Sequence, residues 1–177
     1  MKDFKIHINN KSDADQVFTY IFNYYFNNLY NYGFRLIQNE ELVKDCIQEL
    51  FLRIWKNKIN LLSINNLKAY LFKGLRHQII NMLELKNNTI EKTNVEENFA
   101  IEFSPEDYFI TNQDEENIRK RVIHAINQLT EKQREVIYLR YFEELEYQEI
   151  AKIMNITIQS VKNSLHRSTL PLKYYLQ

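Results

Sequence analysis

The sequence predicts an all-α protein made of two small helical domains joined by a flexible acidic linker. Only two Gly and two Pro occur in 177 residues, so helix breakers are scarce and turns must rely on Asn, Asp and Ser. Apolar residues recur at three- and four-residue spacing in several long segments, as they do on one face of a helix. A polar, acidic stretch divides these segments into two groups, so we expect domains at 1–86 and 117–177 and a linker at 87–116.

The first two helices of the N-terminal domain each carry an apolar stripe. In the first helix the stripe consists of Phe18, Ile21, Phe22, Tyr25, Phe26 and Leu29. In the second helix it consists of Val43, Ile47, Leu50, Phe51 and Ile54. The second helix has another face that holds Asp45, Gln48, Glu49 and Leu52, which indicates that it also serves a second purpose. We interpret Cys46, the single Cys, as a buried thiol in a reducing compartment.

A third helix is predicted from Leu67 to Leu85, after the loop-like sequence INLLSINN. Its inward residues are Phe72, Leu75, Ile79 and Met82. Lys73, His77 and Asn81 lie opposite, flanked by Arg76. From residue 53 to residue 86 the chain has seven Lys and Arg against one Glu, so this part is strongly basic although the net formal charge of the whole chain is zero.

The predicted linker has the opposite charge. Residues 87–116 contain nine Asp and Glu and one Lys, and their low apolar content argues against folding alone. We expect this segment to be either a solvated tether or a segment that folds back against basic faces of the two domains. These faces lie at Lys73 and Arg76 and at Lys162 and Arg167.

Helical periodicity resumes at Ile118. Thr130 is the predicted N-cap of the helix EKQREVIYLRYFE, with Gln133 at the capping-box position. Two helices follow within EYQEIAKIMNITIQSVKNSLHR, where the apolar residues are Ile150, Ala151, Met154, Ile158, Val161 and Leu165. Asn155 interrupts them, and we predict that it ends the first helix in the left-handed conformation. Two helices joined by so short a turn are typical of a helix-turn-helix.

The second helix of this pair carries the polar residues that such a motif presents to the major groove. Thr157 is its predicted N-cap. The outward residues after it are Gln159, Ser160, Lys162, Asn163, His166 and Arg167. All of them can hydrogen-bond to bases or phosphates. Because similar helix pairs occur in proteins that never bind DNA, the motif alone does not decide the function.

The sequence shows no pattern typical of a catalytic, metal or cofactor site. The four His residues lack metal-ligand spacing, and the two Gly residues do not form a phosphate-binding loop. No apolar run has the length of a signal peptide or of a membrane span. We therefore expect a cytosolic protein with no enzymatic activity, no metal, no cofactor and no membrane insertion.

Three runs of sequence resemble the bacterial RNA polymerase sigma factors, in particular the extracytoplasmic-function (ECF) group of the sigma-70 family. DCIQELFLRIW and LKAYLFKGLRHQIINML are similar to region 2 of the family. INQLTEKQREVIYLRYFEELEYQEIAKIMNITIQSVKNSLHRS is similar to region 4. The resemblance extends from about Asp13 to Leu176. It implies an adaptor without catalytic residues that binds core RNA polymerase, directs it to promoters and promotes strand opening in transcription initiation.

The resemblance also implies roles for individual residues. The surface that docks on the clamp helices of the largest polymerase subunit corresponds to Asp45, Gln48 and Glu49. The minus 10 element would be bound by Asn65, Asn66, Lys68, Lys73, Arg76, His77 and Asn81, of which the two Asn lie in a loop that captures a flipped base. The minus 35 element would be bound by Thr157, Gln159, Ser160, Lys162, Asn163, His166 and Arg167.

Two residues depart from the family pattern. Asn155 replaces the usual Gly of the turn, and Ser164 stands where a second basic residue is common in the recognition helix. The second departure leaves the minus 35 preference open. Since family members are commonly held by an anti-sigma factor, we also expect such a partner, whose identity the sequence does not reveal.

Two other interpretations stay open at this point. A free-standing helix-turn-helix regulator that binds DNA as a dimer explains only the last third of the chain. A helical interaction module whose acidic linker binds a basic partner is the other alternative. Co-purification with core polymerase distinguishes the sigma-factor interpretation from both alternatives.

Overall fold

The computed structural model describes residues 11–57, 59, 61–87, 121, 124–126 and 128–176. Within these residues the protein contains helices and no strand, as predicted. The predicted acidic linker lies outside the described residues from position 88 onward.

The N-terminal unit consists of three helices that pack against one another. They are α1 (Lys11–Ile37), α2 (Glu40–Lys56) and α3 (Leu67–Asn87), with a short 3-10 turn at Leu61–Ser63 between the last two. The helix α2 begins at its N-cap Asn39, whose side chain accepts a hydrogen bond from the backbone N–H of Leu42 at 3.1 Å. Acidic residues in its first turn and basic residues in its last turn complement the helix dipole.

The core of this unit is built from the predicted stripes. The buried residues of the three stripes are Ile21, Tyr25, Leu29, Val43, Ile47, Leu50, Phe51, Ile54, Phe72, Leu75 and Ile79. Phe18, Phe22, Phe26 and Met82 are partly buried and pack against them. Full burial of a Val, Leu, Ile or Phe side chain stabilises the fold by about 1.5–3 kcal/mol. The thiol of Cys46 is buried, as predicted, and its Sγ lies 3.8 Å from Sδ of Met82.

The C-terminal unit contains α4 (Glu131–Ile137), α5 (Tyr147–Met154) and α6 (Ile158–Leu176). Thr130 caps α4 in the predicted capping box: its Oγ1 accepts the N–H of Gln133 at 3.3 Å, and the Gln133 side chain accepts the N–H of Thr130 at 2.9 Å. The predicted helix does not continue regularly to Glu143, because after Ile137 the backbone forms a π-helix at Tyr138–Phe142. Such segments are uncommon and often occur near functional sites.

The helix-turn-helix forms as predicted. Asn155 ends α5 with φ 54° and ψ 46°, and its backbone N–H donates to the carbonyl of Ala151. The Oγ1 of Thr157 accepts the N–H of Ser160 at 3.1 Å, which caps α6. Ile158 is an exception to the predicted apolar stripe, because 41% of it is exposed.

The two units are in contact. The helix α5 packs against α3, and α6 packs against α4 and α5. Buried apolar residues from both units belong to one continuous cluster. The first helix of the helix-turn-helix therefore lies next to the basic third helix.

We predict that Gly74→Ala destabilises the fold although Ala favours a helix by about 1 kcal/mol. A Cβ at Gly74 would lie 2.6 Å from Cδ1 of Leu50, and Leu50 is only 1% exposed and cannot turn into solvent. Overpacking costs about 1–3 kcal/mol, so the free energy of unfolding measured with urea should fall by about 1 kcal/mol. The double substitution Gly74→Ala and Leu50→Ala should cost less than the sum of the single ones. Additive losses would show that this contact is not the cause.

The turn between α5 and α6 gives a second prediction about stability. Asn155→Ala should lower the free energy of unfolding by about 1 kcal/mol, because Ala tolerates the left-handed conformation at this position less well than Asn does. Asn155→Gly should keep or raise stability. Lys152→Ala, at an exposed position of α5, is the matched control. Equal melting curves for the Ala and Gly variants would contradict the assignment.

Candidate polymerase and nucleic-acid interfaces

The second face of α2 is open to solvent. Asp45, Gln48 and Glu49 are all exposed, as their predicted docking role requires. Leu52 and Trp55 are about half exposed and continue this face toward the end of the helix. Spacing of three and four residues places Gln48, Leu52 and Trp55 in line, while the core residues of α2 point the other way.

This face borders a groove between α1 and α2 with a volume of about 520 Å³. Its lining residues are Asp15, Phe18, Thr19, Phe22, Gln48, Phe51, Leu52 and Trp55. The ring of Phe18 meets that of Trp55 edge to face at 5.0 Å, which fixes the Trp55 side chain at the surface. Trp55 was missed as a candidate, although its spacing from Gln48 would have placed it on the same face.

Three residue stripes divide the surface of α3. The stripe Leu71, Leu75 and Ile79 is buried in the core. The stripe Lys73, His77 and Asn81 points outward, as predicted: Lys73 and His77 are exposed, Asn81 is partly exposed, and Nδ1 of His77 lies 3.0 Å from Nδ2 of Asn81. A third stripe, made of Lys68, Phe72 and Arg76, faces the C-terminal unit.

Glu135 of α4 is the partner of Arg76. Its Oε1 accepts Nε of Arg76 at 2.9 Å and the hydroxyl of Tyr32 at 2.6 Å, and its Oε2 accepts Nη2 of Arg76 at 3.4 Å. Glu135 is 4% exposed and Arg76 is 8% exposed. A two-point contact between guanidinium and carboxylate is the strongest form of this pairing.

Glu143, which follows the π-helix, has a similar set of partners. Its Oε2 accepts Nζ of Lys68 at 2.7 Å and Nδ2 of Asn28 at 3.0 Å, and its Oε1 accepts the hydroxyl of Tyr138 at 2.9 Å. Nζ of Lys68 also donates to the Glu143 carbonyl at 2.7 Å. Glu143 is 3% exposed. We call the two carboxylates with Asn28, Tyr32, Lys68 and Arg76 the interdomain polar cluster.

Aromatic rings surround the interdomain polar cluster. The ring of Tyr32 lies 5.1 Å from Phe72 and stacks on Tyr138 at 6.1 Å, and the guanidinium of Arg35 lies over the Tyr138 ring at 4.7 Å. Burial, and then the Glu135 carboxylate, raises the pKa of the Tyr32 hydroxyl well above its ordinary value. Burial and Glu143 do the same to the pKa of Tyr138. Each hydroxyl donates a hydrogen bond to its carboxylate, and burial beside that carboxylate disfavours its ionisation further.

The structure corrects the picture of α3 as one exposed basic face. Arg76 and Lys68 point into the contact with the C-terminal unit, whereas Lys73 and His77 do not. The carboxylate that contacts Arg76 belongs to α4, whereas the sequence suggested the linker as the source of acidic partners. The roles of these four α3 residues in DNA binding stay predictions.

The two candidate Asn residues of the loop differ. Asn65 is exposed. Asn66 instead caps α3, because its Oδ1 accepts the N–H of Ala69 at 2.9 Å, and its Nδ2 donates to the carboxylate of Glu149. Asn65 is thus better placed than Asn66 to contact a base.

The candidate residues of the recognition helix lie on its outer side. Exposed or partly exposed residues are Thr157, Gln159, Ser160, Lys162, Asn163, His166 and Arg167, while Val161 and Leu165 are buried against the rest of the unit. Nε2 of Gln159 donates to Oδ1 of Asn163 at 2.9 Å, which orients both amides on one face. Ile158 was missed because the sequence pattern placed it in the core.

Neither a metal site nor a membrane span is found in the part of the chain that the structure describes. No group of three or more His, Cys, Asp and Glu there could hold a metal ion. No helix among those residues is both long and apolar enough to cross a bilayer.

Known proteins match both units. The family model for Sigma-70 region 2 matches residues 21–89, and the model for Sigma-70, region 4 matches residues 119–168. RNA polymerase sigma factor YlaC of Bacillus subtilis is 26% identical over 157 residues, which cover 86% of this chain and 88% of the relative. ECF RNA polymerase sigma factor SigW of the same organism is 27% identical over 178 residues, which cover 94% and 92%.

A solved structure shows the same fold over both units. Sigma factor RpoE of Bartonella quintana, crystallised with the anti-sigma factor NepR, is 20% identical with a TM-score of 0.63 over 91% of this chain and 97% of that one. The two region models occur in the family's order and together cover more than half of the chain. The protein therefore belongs to the sigma-70 family of RNA polymerase sigma factors and, by its curated relatives, to the ECF group.

Proposed function

We propose that the protein binds core RNA polymerase, directs it to specific promoters and promotes strand opening for transcription initiation. The observation that carries this proposal is the presence of regions 2 and 4 in one chain. The exposed α2 face and the exposed outer side of α6 support it. The region 2 match disfavours a free-standing helix-turn-helix regulator, since such a regulator has no use for it.

The protein acts in this proposal as a cytoplasmic adaptor without catalysis of its own. Its cytoplasmic location follows from its partner, because bacterial core polymerase works on DNA in the cytoplasm. The match to a sigma factor crystallised with an anti-sigma factor supports an anti-sigma partner for this chain as well.

Core polymerase docks on the α2 face in this proposal. Asp45, Gln48 and Glu49 contact the clamp helices, and the apolar groove receives a side chain of the partner. An exposed Trp beside polar residues is typical of the centre of an interface, where a few aromatic residues carry much of the binding energy. We therefore add Leu52 and Trp55 to the docking surface.

Promoter DNA is bound at two places. The outward stripe of α3 with Asn65 contacts the minus 10 element, and α6 enters the major groove of the minus 35 element. We add Ile158 to the minus 35 residues, because an exposed apolar side chain at the start of a recognition helix can contact a thymine methyl group.

Transcription with purified core polymerase tests the proposal directly. Fragmented genomic DNA of the source organism is transcribed by core polymerase with and without the protein, and the 5′ ends of the transcripts are mapped. We expect new, discrete start sites that share two upstream sequence elements. If the protein binds these fragments as a dimer and neither binds core polymerase nor adds start sites, the regulator alternative is right.

We predict that Asp45→Ala, Gln48→Ala and Glu49→Ala together weaken core binding while helical content is unchanged, because all three side chains are exposed. Trp55→Ala should weaken core binding by about 2 kcal/mol, as truncation of a Trp at the centre of an interface commonly does. Binding is measured by titration of labelled protein with core polymerase. Glu84→Ala, at an exposed position of α3, is the control. Unchanged affinity of the triple variant would refute the docking surface.

We predict a division of labour between the two DNA-binding places. Arg167→Ala should reduce closed-complex formation by about 1–3 kcal/mol, because it removes a contact to the upstream duplex. Asn65→Ala should spare the closed complex and reduce strand opening. Gel-shift measurements and permanganate footprinting of the holoenzyme separate these steps. Equal defects of both variants in both steps would contradict the division.

A further inference from the structure

We propose that Tyr20 and Tyr24 of α1, which we call the tyrosine pair, form a platform on which an unpaired base of the melted strand stacks. This inference rests on the proposed function, since it adds a contact to the site that would hold the open minus 10 element. The base would lie next to the loop that contains Asn65. Neither Tyr is among the minus 10 residues that the sequence suggested.

The tyrosine pair presents ordered aromatic surface to solvent. Tyr20 is 46% exposed and Tyr24 is 58% exposed. Their spacing of four residues brings the rings together, with centroids 5.9 Å apart and planes 19° apart. The buried ring of Tyr25 meets that of Tyr24 at 4.9 Å and at nearly a right angle. These contacts orient the rings before any ligand binds.

The packing of α1 on α3 fixes the direction in which the tyrosine pair lies. The rings of Tyr32 in α1 and Phe72 in α3 lie 5.1 Å apart. One turn earlier in both helices, Asn28 and Lys68 donate to the same oxygen of Glu143, at 3.0 and 2.7 Å. Equal steps back along both helices lead from one contact to the next, so the two helices run in the same direction.

The next turn back brings the tyrosine pair beside the loop before α3. On α1 this turn carries Tyr24, and on the other side the chain has reached Asn65, just ahead of the first residue of α3. The line of α1 residues also turns outward in this direction: Tyr32 is 0% exposed, Asn28 is partly buried, and Tyr24 is 58% exposed. The tyrosine pair therefore continues the surface of the candidate minus 10 loop.

The charges around the tyrosine pair suit a nucleic-acid strand. From residue 16 to residue 39 the chain contains no Asp or Glu, so this stretch has no carboxylate that would repel a phosphate. From residue 53 to residue 86, which include the loop and most of α3, seven Lys and Arg stand against one Glu. Proteins that bind single strands combine a basic surface along the backbone with aromatic rings on which bases stack. The tyrosine pair at the border of a basic region has this composition.

The tyrosine pair would distinguish melted from paired DNA. In a duplex the faces of each base are covered by its neighbours, whereas an unpaired base has a free face that can stack on an aromatic ring. Every base has such a face, so this contact would not depend on sequence. It would stabilise the open complex and leave the closed complex unaffected.

The first arm of the test measures binding of the holoenzyme to a promoter from the transcription experiment whose minus 10 region is held open by mismatches. Tyr20→Ala with Tyr24→Ala should weaken this binding about tenfold, a loss typical of removing one stack between a base and a ring. Tyr20→Phe with Tyr24→Phe keeps both rings and should bind like the wild type. Asn27→Ala with Tyr141→Ala, at exposed positions of α1 and of the C-terminal unit, is the control.

Two further readouts on the same variants distinguish stacking from other roles. Binding to the fully paired promoter should be unchanged, and the slope of log K against log salt should be unchanged, because a lost phosphate contact would lower that slope by about 0.7 and a lost stack would not. If the Ala variant instead loses affinity for core polymerase, the tyrosine pair is a protein-binding surface and the proposal is wrong. Equal binding of wild type and Ala variant to the open promoter would also overturn it.

The second arm locates the stacked base. Each base of the open region is replaced in turn by 5-iodouracil, which forms a cross-link in light with an aromatic ring stacked on it, and the linked peptide is identified by mass spectrometry. We expect a cross-link to Tyr20 or Tyr24 at a position next to the base held by the Asn65 loop. Cross-links to other residues alone would contradict the proposal.

A further variant keeps the test decisive if the Ala variant loses helix content. Tyr20→Leu with Tyr24→Leu keeps apolar side chains and strong helix formers but has no ring, so it should show the same loss as the Ala variant. Failure of the tyrosine pair leaves the wild-type protein able to bind core polymerase and select promoters. A wild-type protein that does neither removes the proposed function, and the platform with it.

Discussion

The contact between two buried carboxylates and the basic third helix determines how regions 2 and 4 lie against each other. Removing a charged group from water costs several kcal/mol, and only a full set of partners offsets that cost. Glu135 and Glu143 have such sets, supplied mainly by α1 and α3. Loss of one partner leaves a buried charge uncompensated, so the contact is expected to form or break as a whole.

A contact of this kind suits a reversible association better than a permanent one. When the units separate, water solvates the released charges, so a buried ion pair adds little net stability compared with an apolar contact of equal size. The apolar part of the interface, with Tyr32, Phe72 and Tyr138, adds stability that depends little on charge.

Local chemistry made much of the fold predictable from the sequence. The apolar stripes, the capping box at Thr130 and the left-handed Asn155 each depend on residues within a few positions of one another. The exposed faces of α2 and α6 followed from the same periodicity. Their functional roles came from the resemblance to the family.

The remaining features depend on residues far apart in the sequence. Arg76 and Glu135 are separated by 59 positions, and in an amphipathic helix Glu135 resembles an ordinary solvated residue. Periodicity assigns a residue to a face of its helix, but it does not say which element covers that face. The sequence pattern also did not predict the π-helix before Glu143 or the exposure of Ile158. Both depend on how the helices pack against one another.

The central claim is that the chain is a sigma factor that binds core RNA polymerase, and titration of labelled protein with purified core polymerase measures this directly. The account predicts saturable binding that Asp45→Ala, Gln48→Ala and Glu49→Ala together weaken. No binding, or equal affinity of the triple variant, would contradict it.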